Sequence, residues 1–113
     1  PKYVTSKNAK HDFLKYQLIW PYTDLLLHDM GNELADKDLN GNITNKEWKT
    51  PPLWGLGYVK EVNPRATFLH DGRAKTILEA VMWHSGEAKE SLDILLANYK
   101  DDLDKLEKFL KSL

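Results

Sequence analysis

The chain has 113 residues, 42% hydrophobic and 29% charged, with a net charge of −1. That fits one small domain, without the basic excess that nucleic acid would require and without an apolar run near the roughly 20 residues that span a bilayer. There is no cysteine, which excludes disulfides, thiolate metal sites and thiol catalysis within the chain.

Residues 1–12 are polar and aperiodic and read as an extended arm. The arm continues through a more apolar stretch to Trp20 and is stopped by Pro21. Residues 23–35 have helical character, with Leu26, Leu27, Met30 and Leu34 near one face, although Gly31 weakens the pattern. Residues 36–47 form a polar loop. Residues 48–72 contain Pro51, Pro52, Gly55, Gly57, Pro64 and Gly72, too much punctuation for a long helix and little signal for a strand. A loop of that length wraps something or serves a site.

Helix resumes at Thr76, where Thr76 and Glu79 make a capping box. Ile77, Val81 and His84 then share one stripe at i, i+4 and i+7, and Ser85 and Gly86 end the segment. A second helix is expected over residues 87–99, with Leu92, Leu95, Leu96 and Tyr99 on one face. A third starts near Asp102 and carries Leu103, Leu106, Leu110 and Leu113. The expected fold is mainly α, a single domain over residues 1–113 with a long irregular loop and three C-terminal helices. The four Trp and five Tyr read first as material for a small core.

Residues 36–47 match the EF-hand calcium loop, D-x-[DN]-x-[DN]-G-x5-E. Asp36, Asp38 and Asn40 offer side-chain oxygens, Gly41 the sharp turn, Asn42 its carbonyl, Thr44 a direct or water-mediated contact and Glu47 both carboxylate oxygens. Ile43 is placed to anchor the loop. The flanks are poor for a true EF-hand, because Gly31 and Pro51 interrupt the helices, so a lone structural Ca²⁺ loop is one reading. A solvated Asn/Asp/Gly turn without metal is the other.

Four further stretches carry a resemblance. Residues 23–31 (TDLLLHDMG), 47–57 (EWKTPPLWGLG), 68–81 (FLHDGRAKTILEAV) and 83–88 (WHSGEA) are similar to the DLLLHDMG, EWRTPPLWGLG, FLHDGRAxTLEEAV and WHGGEA runs of the di-haem c-type thiol oxidoreductases. The first also resembles the corresponding segment of bacterial cytochrome c peroxidases. The order and rough spacing agree over about residues 22–113.

This resemblance implies the C-terminal part of a cytochrome c-like haem domain in a periplasmic oxidoreductase working by electron transfer, peroxidase-like or thiol-linked chemistry. Its haem c is attached by a C-x-x-C-H motif that this chain lacks. Pro1 is then expected to follow directly after that motif, in a fragment inactive alone whose partner is the N-terminal haem domain. His84 takes the place of the distal axial ligand, usually Met in the peroxidases; otherwise it is a hydrogen-bonded core histidine. His70 lies by the haem edge or orders the inter-haem loop, unless it merely bonds Asp71. His28 meets a haem propionate or satisfies backbone carbonyls. Met30 is a rival axial ligand or a packing residue, and Trp48 and Trp54 lie between haems or pack under the loop. Arg65 and Thr67 stand where relatives present carbonyls to an inter-haem calcium. The alternative function is a haem-free, calcium-stabilised binding module.

Overall fold

The computed structural model describes residues 2–113; Pro1, the expected boundary with the attachment motif, lies outside them. The fold is not mainly α. It is mixed, 37% helical and 15% strand, with four helices and several small sheets. Each sheet is a two-stranded antiparallel ladder. Their strands of two or three residues are too short to display the period-2 alternation that marks a strand in sequence.

The first ladder folds the expected arm back on itself: β1 (Tyr3–Val4) pairs β2 (Leu18–Ile19), around a 3-10 turn at Asp12–Leu14. The second pairs β3 (Leu27–Asp29) with β6 (Glu47–Lys49), His28 standing opposite Trp48. The third pairs β4 (Asp36–Lys37) with β5 (Ile43–Asn45) across a bulge.

The helix expected over residues 23–35 is therefore replaced by β3 and its flanking turns. The cause is local. The Thr23 hydroxyl accepts the Leu25 N–H at 2.9 Å, and Asp24 Oδ1 accepts the Leu26 N–H at 2.9 Å. These side chains offer the backbone turns that compete with helix. Leu25 takes φ +63° and Gly31 φ +78°, both incompatible with a right-handed helix. Thr23, only 3% exposed, also donates to the Thr50 carbonyl at 2.6 Å, and the Thr50 N–H reaches Leu26 O at 3.1 Å. That chain of bonds closes the β3–β6 ladder.

Residues 48–72 are largely irregular but hold a 3-10 turn, Leu56–Tyr58, running into a one-turn helix, α1 (Val59–Val62). Three C-terminal helices follow: α2 (Ile77–Met82), α3 (Lys89–Asn98) and α4 (Leu103–Lys111). The Thr76 hydroxyl caps α2 by accepting the Glu79 N–H at 3.0 Å. The reciprocal half of the capping box is displaced by one residue, Glu79 accepting from the Lys75 N–H at 2.7 Å. Asp102 makes no side-chain cap on α4 and pairs with Lys105 instead.

The buried apolar core is small: Leu34, Ala35, Ala74, Ile77 and Leu110. The radius of gyration is 16.6 Å, against about 13 Å for a compact domain of this length. Large apolar side chains, among them Phe13, Trp20, Leu26, Trp54 and Phe109, stand exposed. No helix among the described residues is long and apolar enough to cross a membrane.

Candidate functional site

An apolar cavity of about 540 Å³ lies between α2, α4 and the β3–β6 ladder, with Ile77, Val81, Leu110 and Phe68 among its walls. That volume is within the range of roughly 300–1,000 Å³ usual for cofactor and ligand sites. Met30, His70 and His84 all line it. The stripe read from the sequence is realised, since Ile77, Val81 and His84 present themselves to this one space. His28 is not part of it.

His84 lies just past the last residue of α2, its N–H bonded to Val81 O at 3.1 Å. Its ring Nδ1 is 2.8 Å from the Ala80 carbonyl. A carbonyl only accepts, so Nδ1 carries the proton, and in the neutral ring Nε2 keeps the lone pair. An imidazole fixed by a backbone carbonyl through one nitrogen and presenting the other is the arrangement of a metal-ligating histidine.

The Met30 carbonyl accepts the Ser85 hydroxyl, so the two candidate ligands belong to neighbouring backbone and both line the cavity.

His70 is stacked on Trp48, ring centroids 3.7 Å apart and 17° from parallel. Trp48 is pinned in turn by its indole N–H to Leu34 O at 3.0 Å. His70 Nε2 is 3.4 Å from Asp36 Oδ1, so its carboxylate neighbour is Asp36. Asp71 instead accepts the Arg73 Nε–H at 2.6 Å, and Arg73 also reaches Glu33 O at 2.6 Å and lies over the Trp83 ring. Arg73 holds the Asp71 carboxyl below its ordinary value against the opposing effect of burial, which is the larger single influence. Leu69, before His70, takes φ +69°, a strained conformation for a branched side chain. Trp54 bonds the Trp20 carbonyl at 2.8 Å.

The partners of the His28 ring are carboxylates, not backbone carbonyls. Its Nδ1 is 2.9 Å from Glu87 Oε2 and its Nε2 2.7 Å from Asp24 Oδ2. Both nitrogens donate to carboxylates, leaving no lone pair for a metal. Its pKa is raised, by the Glu87 hydrogen bond first and then that of Asp24. Glu87 is lowered, chiefly by His28. Asp24 is lowered, chiefly by the Leu26 N–H and then by His28. The Asp24–His28 spacing was visible in the sequence; Glu87, 59 residues beyond His28, carried no local signal.

The calcium-loop residues are not assembled into a metal shell. Asp38 Oδ1 accepts the N–H groups of Asn40 at 2.9 Å and Asn42 at 2.8 Å, and Oδ2 accepts the Asn42 side-chain amide at 2.9 Å. These bonds, the Asn42 side chain first, lower the Asp38 pKa. The Asn42 carbonyl, expected to point at the ion, accepts the Asp38 N–H at 2.9 Å. Asp36 and Thr44 sit on the paired strands of the hairpin, and Glu47 lies on β6 opposite Asp29. Asn40 keeps to the tip, and Ile43, expected as an anchor, is 44% exposed. Among the described residues no group of three or more His, Asp or Glu side chains is placed to hold a metal. The arrangement is a hairpin turn capped by Asp38.

The cavity is therefore apolar, with the His84 imidazole among its lining residues. A family model described as "Di-haem oxidoreductase, putative peroxidase" matches residues 3–113, and the chain belongs to that family. No curated protein and no solved structure matches it.

Proposed function

We propose that this chain supplies the distal wall of the C-terminal haem in a periplasmic di-haem oxidoreductase, with His84 as the protein's ligand to the iron. The observation that carries the reading is the His84 ring, a lining residue of the apolar cavity, with its Nδ1–H committed to Ala80 O and Nε2 left with the lone pair. The residues present fit a haem. The walls are mainly aliphatic and aromatic, and the donor is a nitrogen that iron accepts. The hydrogen bond behind that ring orients it and raises its basicity. Bound there, the haem supplies the redox centre. The chain's own apolar residues would exclude water from it, and His84 would offer it a nitrogen donor.

Met30, which lines the same cavity, would be the competing ligand. Attachment of haem c belongs to sequence outside this cysteine-free chain. In the whole protein its partner is the N-terminal haem domain, and the reaction is electron transfer, peroxidase-like or thiol-linked.

Titrating the chain with ferric protoporphyrin, followed in the Soret region and by electron paramagnetic resonance, tests the reading. The expected result is an imidazole-ligated ferric spectrum, high-spin because the chain supplies one strong ligand, that His84→Ala abolishes. An identical spectrum in the variant would refute it.

A further inference from the structure

The backbone that carries Met30 and the turn that follows His84 are locked together, and we infer that Glu87 is a positioning residue whose carboxylate decides which of the two side chains reaches the iron. The inference rests on the haem reading above. Glu87 is forked onto one strand, both of its carboxylate oxygens being held by β3. Its Oε1 accepts the Asp29 N–H at 3.1 Å, and its Oε2 accepts from His28 Nδ1 at 2.9 Å. His28 is held from behind by Asp24 at 2.7 Å. One carboxylate thus fixes the residue immediately before Met30 to a residue three positions after His84.

Two further contacts make the junction close. The Ser85 hydroxyl donates to the Met30 carbonyl. Gly86, at φ +57°, passes so near β3 that a Cβ there would lie 2.1 Å from Asp29 O and 2.5 Å from Gly31 N. No side chain fits between the segments, so they cannot slide without parting.

His84 needs such a latch because α2 ends at Met82 and α3 begins only at Lys89. Between them the backbone has a single 3-10 turn, Gly86–Ala88, with Ala88 N–H on Ser85 O at 3.1 Å. The Ala80 bond orients the ring, but helix hydrogen bonds do not fix the chain beyond it. The Glu87 fork supplies that constraint, and it sets His84 and Met30 at a constant offset.

The test has a haem-free arm and a loaded arm, both on the full chain. In the haem-free protein, Glu87→Ala is expected to shift the His84 ring and Met30 methyl resonances and to speed Asp29 amide exchange by roughly tenfold or more. Glu87→Gln, which still accepts from Asp29 and can donate to neutral His28, restores both resonances. With ferric protoporphyrin added, Glu87→Ala is expected to mix a thioether-ligated component into the imidazole spectrum. A folded Glu87→Ala protein with unchanged His84 and Met30 resonances overturns the inference. Should that variant fail to fold, Glu87→Asp, one methylene shorter and so unable to keep both the Asp29 and the His28 bond, takes its place, and unmoved His84 and Met30 resonances there overturn it equally. Absence of imidazole ligation in the wild type sinks the haem reading instead, and the haem-free arm still decides the latch.

Discussion

Replacing Thr23 by Val keeps the shape of the side chain and removes one hydroxyl. In the native structure that hydroxyl donates to Thr50 O and accepts from the Leu25 N–H, in a residue only 3% exposed. Each such bond contributes on the order of 1 kcal/mol net, and a buried partner left unpaired costs about 1–3 kcal/mol. Leu25 is exposed, so its N–H recovers water. The half-buried Thr50 carbonyl recovers less. The sum is a destabilisation of about 2 kcal/mol, or a melting temperature lower by roughly 8–10 °C at this chain length. Urea unfolding followed by far-ultraviolet circular dichroism measures it. A loss within about 0.5 kcal/mol, the range of an ordinary surface change, would mean that the Thr23 turn does not hold residues 23–29 out of helix.

Calcium raised to millimolar concentration is expected to leave the melting temperature unchanged, because Asp38 and the Asn42 carbonyl are committed to the hairpin; a calcium-dependent rise would show that the loop rearranges around the ion. The Asp24–His28–Glu87 clamp gives stability a window in pH. Raised above its ordinary 6.5, His28 contributes fully below that value and loses its contribution as pH climbs through its higher folded pKa. Asp24 and Glu87, lowered from 3.8 and 4.5, contribute above those values and lose their share as pH falls through their folded pKa values. Thermal melts of wild type and His28→Asn should therefore differ most between about pH 4.5 and 6.5 and converge on either side; a difference independent of pH would contradict the clamp. Arg73→Lys is expected to cost about 1–2 kcal/mol, since a lysine cannot keep the Asp71 and Glu33 bonds and the Trp83 stack together, and denaturant titration checks this.

What could be read from the chain beforehand was whatever is local and periodic. The Thr76 cap and the stripe of Ile77, Val81 and His84 obey the helix repeat, so the cavity-facing side of α2 followed from spacing alone. Residues 23–35 share that repeat in Leu26, Leu27, Met30 and Leu34, yet Thr23 and Asp24 capture the first amides and Leu25 turns left-handed. Side-chain bonds overrode periodicity there. Loop 36–47 is ambiguous for a different reason. Asp, Asn and Gly at close spacing serve a calcium shell and a capped hairpin equally well, and only the Asp38 bonds and the β4–β5 pairing separate the two. The β3–β6 ladder and the Glu87 fork join residues far apart in sequence, and no local pattern encodes them. Family resemblance pointed to His84 and Met30, but that their backbones are neighbours rests on the bond between Ser85 and the Met30 carbonyl.

The most direct measurement is the electron paramagnetic resonance spectrum of the full-length di-haem protein with His84→Ala. One haem is expected to lose the His84 imidazole and change spin state while the other keeps its spectrum. Two haem spectra identical to wild type would contradict that, leaving His84 a structural histidine bonded to Ala80 and Met30 the next side chain to replace.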